Sequence, residues 1–291
     1  MSWRTVVVSS RCKLDLKMGY MVVRGEELRR IYLDEIALLL IENPAVSMTG
    51  LLLSALMERK IKVIFCDGKH LPQAELVPYY GCHDTSRKIN RQIAWDEAIK
   101  GAVWGEVIAE KIRGQAEFLR ELGCVRESDL LTAYVGQLEF QDVTNREGHA
   151  AKVYFNAVFG KEFTRDAENP LNAALNYGYA VLLAAFNREI VSNGYLTQLG
   201  LHHGNVFNRF NLSSDLMEPF RVLVDREVYA ARPQELDRDT KRRLYDLMNR
   251  SVCIDRSRQT VLNAISIYVR SVLEALNEAD PARIQHWSYE L

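Results

Sequence analysis

The stretch KVIFCDGKHLPQAELVPYYGCHDTSRKINRQIAW (62–95) holds the change of pattern on which the fold turns. It opens on KVIFCD (62–67), a short run of β-branched and aromatic residues that suits a strand. Asp67-Gly68, Pro72, Pro78, Gly81 and the polar CHDTSRK then break any regular element and mark a boundary. Upstream, TVVVSS (5–10), CKLDL (12–16), YMVVR (20–24) and EIALLLI (35–41) read as further strands, punctuated by Gly19 and Gly25. TGLLLSALMERK (49–60) has its leucines at helical spacing and is expected to cross one end of the sheet. Downstream the period changes. Ile89, Ile93, Val103, Val107, Ile112, Leu119 and Leu122 recur near multiples of 3.6, which predicts a long amphipathic helix or a kinked pair over 87–122, stopped by Gly123. Further helices are expected at 145–159, 170–193 (opening on Asn169-Pro170), about 215–231, 240–250 and 258–277. The fold class is therefore α+β: a small β-rich N-terminal domain (1–75), a linker (76–88) and a larger all-α domain (89–291).

With 291 residues, 48% of them hydrophobic, the chain can bury a substantial core. The opening MSWRTVVVSS lacks the basic start and apolar stretch of a secretory signal, so no export is expected. IALLLI (36–41) and AVLLAAF (180–186) are too short to cross a bilayer, and no membrane role is expected. Cys12, Cys66, Cys82, Cys124 and Cys253 are scattered, with no C-x-x-C, which suits reduced thiols in a cytoplasm. A net charge of -1 argues against unaided non-specific nucleic-acid binding. Lys and Arg nevertheless cluster at SRKINRQ (86–92) and TKRRLYDLMNR (240–250), either as a basic face or as ordinary solvated helix faces.

Three stretches carry possible metal ligands: NREGHAAKVYF (145–155), LGLHHGNVFNRF (199–210) and SSDLMEPFR (213–221). In the first, Glu147 stands three residues after Thr144, the spacing of a capping box, in which a Glu returns to the backbone N–H of the cap residue. Arg146, Lys152, Lys161 and Arg165 would place positive charge near a phosphate bound there, or would pair with Asp142, Glu162 and Asp166. In the second, His202 and His203 must point in different directions, so at most one serves a shared site. In the third, Ser213 or Ser214 would cap a helix whose first turn holds Asp215 and Glu218 at i and i+3. Those acids either complement the helix dipole or aim at one cation. Carboxylates with one imidazole suit Mg²⁺ or Mn²⁺ better than a structural zinc, and point to metal-assisted phosphoryl transfer.

The order EGHAAKVYF, NAALNYGY (172–179), GLHHGN, SDLMEPFR resembles the universal integrase subunit of CRISPR adaptation, the CRISPR-associated protein one family. The likeness covers essentially the whole chain. WRTVVV and RQIAW (91–95) are most similar to the short members that accompany type II systems. The resemblance implies a metal-dependent DNA endonuclease and integrase that joins the 3′-hydroxyl ends of short protospacer duplexes to the leader-proximal repeat. It implies that Glu147, His203 and Glu218 hold Mg²⁺ or Mn²⁺ and act in catalysis, with Asp215 as a supporting acid. It further implies a prokaryotic, cytoplasmic homodimer formed through the N-terminal domain. The implied partners are double-stranded DNA, the small second adaptation protein and, in type II systems, other adaptation proteins and the RNA-guided effector nuclease. The alternatives are a general metal-dependent nuclease on branched DNA and a non-catalytic DNA-binding scaffold.

Overall fold

A computed structural model describes residues 4–68, 72–76 and 82–289. Strands dominate the first part: β1 (Arg4–Val8), β2 (Lys13–Lys17), β3 (Tyr20–Arg24), β4 (Leu28–Tyr32), β5 (Ile36–Ile41), β6 (Ser47–Met48), helix α1 (Gly50–Glu58), β7 (Lys62–Cys66) and β8 (Pro72–Leu76). They make two four-stranded sheets, ordered β1-β5-β7-β8 and β4-β3-β2-β6. β1, β5 and β7 run parallel, and β8 returns antiparallel to β7.

All six residues of β5, IALLLI, are buried, so both faces of its sheet must be covered. Ile36, Leu39 and Ile41 pack with α1 and with Leu14 and Met21 of the second sheet. Leu38 and Leu40 face the other way, onto Ala184 and Tyr245. From Leu38 to Ile41 the period-2 alternation of the strand thus sends odd and even side chains to different cores.

The remainder is mostly helical: α2 (Thr85–Ile93), α3 (Glu97–Glu121), α4 (Val125–Val135), α5 (Arg146–Phe159), α6 (Pro170–Ser192), α7 (Asn211–Leu216), α8 (Arg221–Ala231) and α9 (Arg238–Asp246). It closes with β9 (Ser251–Ile254), β10 (Ser257–Thr260), α10 (Val261–Glu278) and β11 (Trp287–Ser288). α3, α6 and α10 run through one large core that includes Trp104, Phe186, Phe220 and Tyr268. Gly178 lets α6 and α8 touch, since a Cβ there would lie 2.4 Å from Val224 Cγ1.

A strand-rich start followed by a mainly helical remainder is what the change of period predicts, but details differ. Of the two forms expected for 87–122 the pair is found, broken at Ala94–Asp96, where the Asp96 carboxylate caps α3 by accepting from the Ala98 N–H at 2.9 Å. β8 lies inside the stretch expected to be a boundary; its Pro72 is the first residue of an edge strand, a position where proline is tolerated. The C-terminal part is not all-α: β10 pairs with β9, and β11 with β9, so the last long helix begins at Val261 and not at 258. The expected 215–231 helix is instead α7, a 3-10 turn at Glu218–Phe220 containing Pro219, and α8. The five cysteines are free, and among the described residues no helix is long and apolar enough to cross a membrane.

Candidate active site

On α3, Val103 and Val107 are followed at the same four-residue spacing by Lys111, so a lysine enters an apolar stripe and is buried with it. Its Nζ lies 2.6 Å from Glu147 Oε1 of α5 and 2.6 Å from Glu218 Oε2. Arg221, the first residue of α8, takes the other side of Glu218 at 2.9 Å from Oε1. Burial alone would lower the Lys111 pKa, but Glu218 and Glu147 outweigh it and raise the ammonium above the ordinary lysine value. Burial likewise pushes Glu218 up, and Lys111 and Arg221 more than reverse it, so the carboxyl stays ionised below its usual range. The half-buried Arg221 guanidinium stands 4.8 Å above the Tyr179 ring.

Glu147 is free to reach Lys111 because other residues cap its helix. Asn145, at φ 53°, is the N-cap and accepts from the Gly148 N–H at 3.2 Å. The Asp142 carboxylate accepts from the N–H groups of Arg146 and Glu147 at 2.7 and 2.9 Å. Thr144 Oγ1 is buried without a hydrogen bond, so the capping box allowed by the T-x-x-E spacing does not form.

The histidine loop is organised by Asp215, which is fully buried near the end of α7. Its carboxylate accepts from the N–H groups of Leu201, His202 and His203 at 2.6, 3.1 and 3.4 Å, and it bonds His203 Nδ1. Gly200 permits this closeness, as a Cβ there would sit 2.4 Å from the His203 carbonyl and 2.8 Å from Asp215 Oδ2. The two histidines diverge: the His202 ring stacks on Trp104 at 4.6 Å, while the His203 ring meets the same Trp edge-on at 5.5 Å. The bond to Asp215 raises the His203 pKa against the opposing effect of burial, and Glu218 and Glu147 add to the rise through their charge.

The expectation that Ser213 or Ser214 caps a helix holding Asp215 and Glu218 in its first turn is not met. α7 starts four residues before Asp215, Ser213 is buried within it, and the two acids fall on either side of Met217, in different helical segments. Asp215 serves the loop and Glu218 serves Lys111. Of the candidate phosphate contacts, Lys152 and Lys161 are exposed. Arg146 lies over Tyr134 at 5.3 Å, and Arg165 bonds Asn172 and Asn176 at 2.5 and 2.7 Å. Among the described residues none of these four forms an ion pair with Asp142, Glu162 or Asp166.

Sequence reasoning passed over Lys111, Arg221 and a further buried acid, Asp225. The signal for Lys111 was a charge at i+4 in the Val103–Val107 stripe. Asp225 on α8 accepts from the hydroxyl of Tyr154 on α5 at 3.0 Å and from that of Tyr179 on α6. Burial raises its pKa to about 6 although both hydroxyls and Arg221 oppose the rise.

The donor set suits a hard divalent cation. Glu218 Oε2 is buried and makes no hydrogen bond, facing Lys111 only as an ion pair. His203 has one ring nitrogen tied to a carboxylate, the usual arrangement behind a ligating imidazole. Glu147, His203 and Glu218 are not drawn as tightly together as Cys82, His83 and Asp84, whose ligand atoms all lie within 4.8 Å of one another. In that second group Arg87 and Lys88 already neutralise Asp84, at 2.5 and 3.2 Å, and Lys88 also contacts Cys82 Sγ at 3.0 Å.

The family model described as "CRISPR associated protein Cas1" matches residues 5–265. The "CRISPR-associated endonuclease Cas1" of Neisseria meningitidis serogroup C (strain 8013) is 33% identical over 291 residues, covering 98% of this chain and 96% of that one. Among solved structures, a "Casposase bound to integration product" superposes with a TM-score of 0.75 at 17% identity, over 96% of this chain and 92% of that one. A "Cas6-RT-Cas1--Cas2 complex" superposes with a TM-score of 0.76 at 17% identity, over 99% of this chain and 36% of that one. At such identities the two structures report on the fold. The family match and the 33% identity over nearly the full length decide the relationship: this chain belongs to the Cas1 family of CRISPR associated proteins.

Proposed function

We propose that this chain is a DNA integrase of CRISPR adaptation that joins the 3′-hydroxyl of a short protospacer duplex to the leader-proximal repeat by phosphodiester exchange. One observation carries the reading: two acids from separate elements, Glu147 and Glu218, converge on one buried positive charge beside a histidine oriented by a buried aspartate. Lys111 and Arg221 keep Glu218 ionised, and Asp215 holds a proton at His203 Nδ1, leaving Nε2 as the lone-pair nitrogen. Mg²⁺ or Mn²⁺, held by Glu147, His203 and Glu218, would activate the attacking hydroxyl and neutralise charge growing on the scissile phosphate. No side-chain nucleophile is needed, and the solvent-facing edge of His203, 46% exposed, gives the substrate access.

Arg146, Lys152, Lys161 and Arg165 are assigned to the DNA backbone; the casposase neighbour bound to its integration product supports a DNA substrate. The Cas1–Cas2 neighbour supports a small second adaptation protein as partner, and a prokaryotic cytoplasm is assigned as the compartment. A homodimer formed through the strand-rich part would scatter light with a mass near twice 33.4 kDa. Residues 1–75 and 89–291 are taken as separate domains, which limited proteolysis within 76–88 would report.

The relative's printed name, an endonuclease, favours a second reading as a metal-dependent nuclease on branched DNA, in which water replaces the 3′-hydroxyl. Incubation with a protospacer duplex, a supercoiled repeat plasmid and Mg²⁺ or Mn²⁺ separates them. Joined product supports integration, nicking without joining supports the nuclease, and neither outcome leaves only a scaffold.

A further inference from the structure

Transfer chemistry does not by itself require a lysine between the two acids. Two carboxylates brought together out of water repel one another and lose hydration, a cost met only by positive charge or hydrogen bonds. Arg221 provides this for Glu218 Oε1. For Oε2, which has no hydrogen bond, the facing charge is Lys111, and the same ammonium bonds Glu147. We propose that Lys111 is a resident counter-cation: it positions Glu147 and Glu218 ahead of metal and competes with the divalent ion for their oxygens, so that it sets the metal affinity of the site. The proposal rests on the metal reading above.

The two cations differ in a way that assigns this role to the lysine. The Arg221 guanidinium is a rigid fork at the start of α8, packed over the Tyr179 ring at 4.8 Å, and is built to stay. Lys111 is a point charge on a flexible four-carbon stem, so it can leave an oxygen without disturbing its helix. Its backbone is pinned by the fully buried neighbours Ile108 and Ile112. Only the ammonium is therefore exchangeable.

The experiment compares Mn²⁺ binding, by titration calorimetry and by the resonance of free Mn²⁺, with thermal unfolding in and out of Mn²⁺. In Lys111→Met the Kd for Mn²⁺ should tighten by roughly tenfold or more, as a competing unit charge is removed. The metal-free Tm should fall, and the rise in Tm on saturation should exceed that of the parent protein. Lys111→Met/Glu147→Gln should regain metal-free stability and lose the tight binding. Lys111→Arg, which puts a less mobile cation between the acids, should bind Mn²⁺ more weakly than the parent. Unchanged or weaker Mn²⁺ binding in Lys111→Met overturns the proposal. If that variant folds neither with nor without Mn²⁺, Lys111→Arg decides, and unchanged affinity there overturns it. Should Glu147→Gln leave parental Mn²⁺ binding untouched, the metal site itself is misplaced and both readings fall; normal sensitivity to Glu147→Gln with no response at Lys111 removes this proposal alone.

Discussion

Glu218 and Asp225 stand seven residues apart, and both are almost fully buried, at 4% and 1% exposure. Their environments nevertheless push them in opposite directions. Glu218 meets Lys111 and Arg221 and is held ionised below the usual carboxyl range. Asp225 meets chiefly two tyrosine hydroxyls, and burial carries it up to about 6. Burial alone therefore does not set the charge of an acid; the kind of partner does. The first cluster, beside a half-exposed histidine, is the one proposed to take a divalent ion and a phosphate. The second ties α5, α6 and α8 together behind it.

The largest contrast is expected in strand transfer. Glu147→Ala, His203→Ala and Glu218→Ala should each lower joining by roughly a hundredfold or more, because charge on the scissile phosphate goes unneutralised. DNA affinity, measured alongside, should hold, since backbone contacts are spread over many basic side chains. A variant that joins normally would break the assignment.

Asp225→Asn should instead show itself in stability against pH. The folded chain keeps the Asp225 proton to about pH 6, whereas the ordinary carboxyl loses it near 3.8. Between those values the folded state binds more protons than the unfolded state, so this group's contribution to stability falls as pH rises through the window and is level above it. The stability of Asp225→Asn relative to the parent should climb by about 2–3 kcal/mol from pH 4 to pH 7. Urea midpoints that track each other at every pH would contradict the raised carboxyl.

Smaller effects sharpen the division of labour. Tyr154→Phe and Tyr179→Phe should each cost about 1.5–3 kcal/mol, the range for a bond to a charged acceptor, while joining changes less than in the Glu218 variant. At the bottom of the scale, Asn145→Ala should cost about 1 kcal/mol as a lost N-cap. Thr144→Ala should be nearly silent, since Thr144 Oγ1 has no partner. Were the capping box real, Thr144→Ala would be the costlier of the two by chemical denaturation.

The strand-to-helix division was legible because period 2 and period 3.6 are properties of local sequence. TVVV, YMVVR, IALLLI and KVIFC sit where their β-branched composition puts them. PQAEL and SRQT do not advertise strands: both are short, polar and lie on sheet edges, where pairing with β7 and β9 outweighs propensity. Residue order also sufficed to single out Glu147, His203, Asp215 and Glu218 through the family resemblance. Whether Glu147 capped its helix was beyond it, because T-x-x-E serves capping and ligation equally well, and the answer lay with Asp142 and Asn145.

Lys111 shows where local pattern stops. Its place at i+4 in the Val103–Val107 stripe signals burial, but nothing within a few residues reveals that α5 and the turn before α8 close over it. Amphipathic period and residue chemistry, both short-range, determined which elements form and which side chains are able to bind a cation. Which acid faces a cation and which faces tyrosines was decided by the packing of α3, α5, α6 and α8, since a buried charge takes its state from neighbours that are distant in sequence.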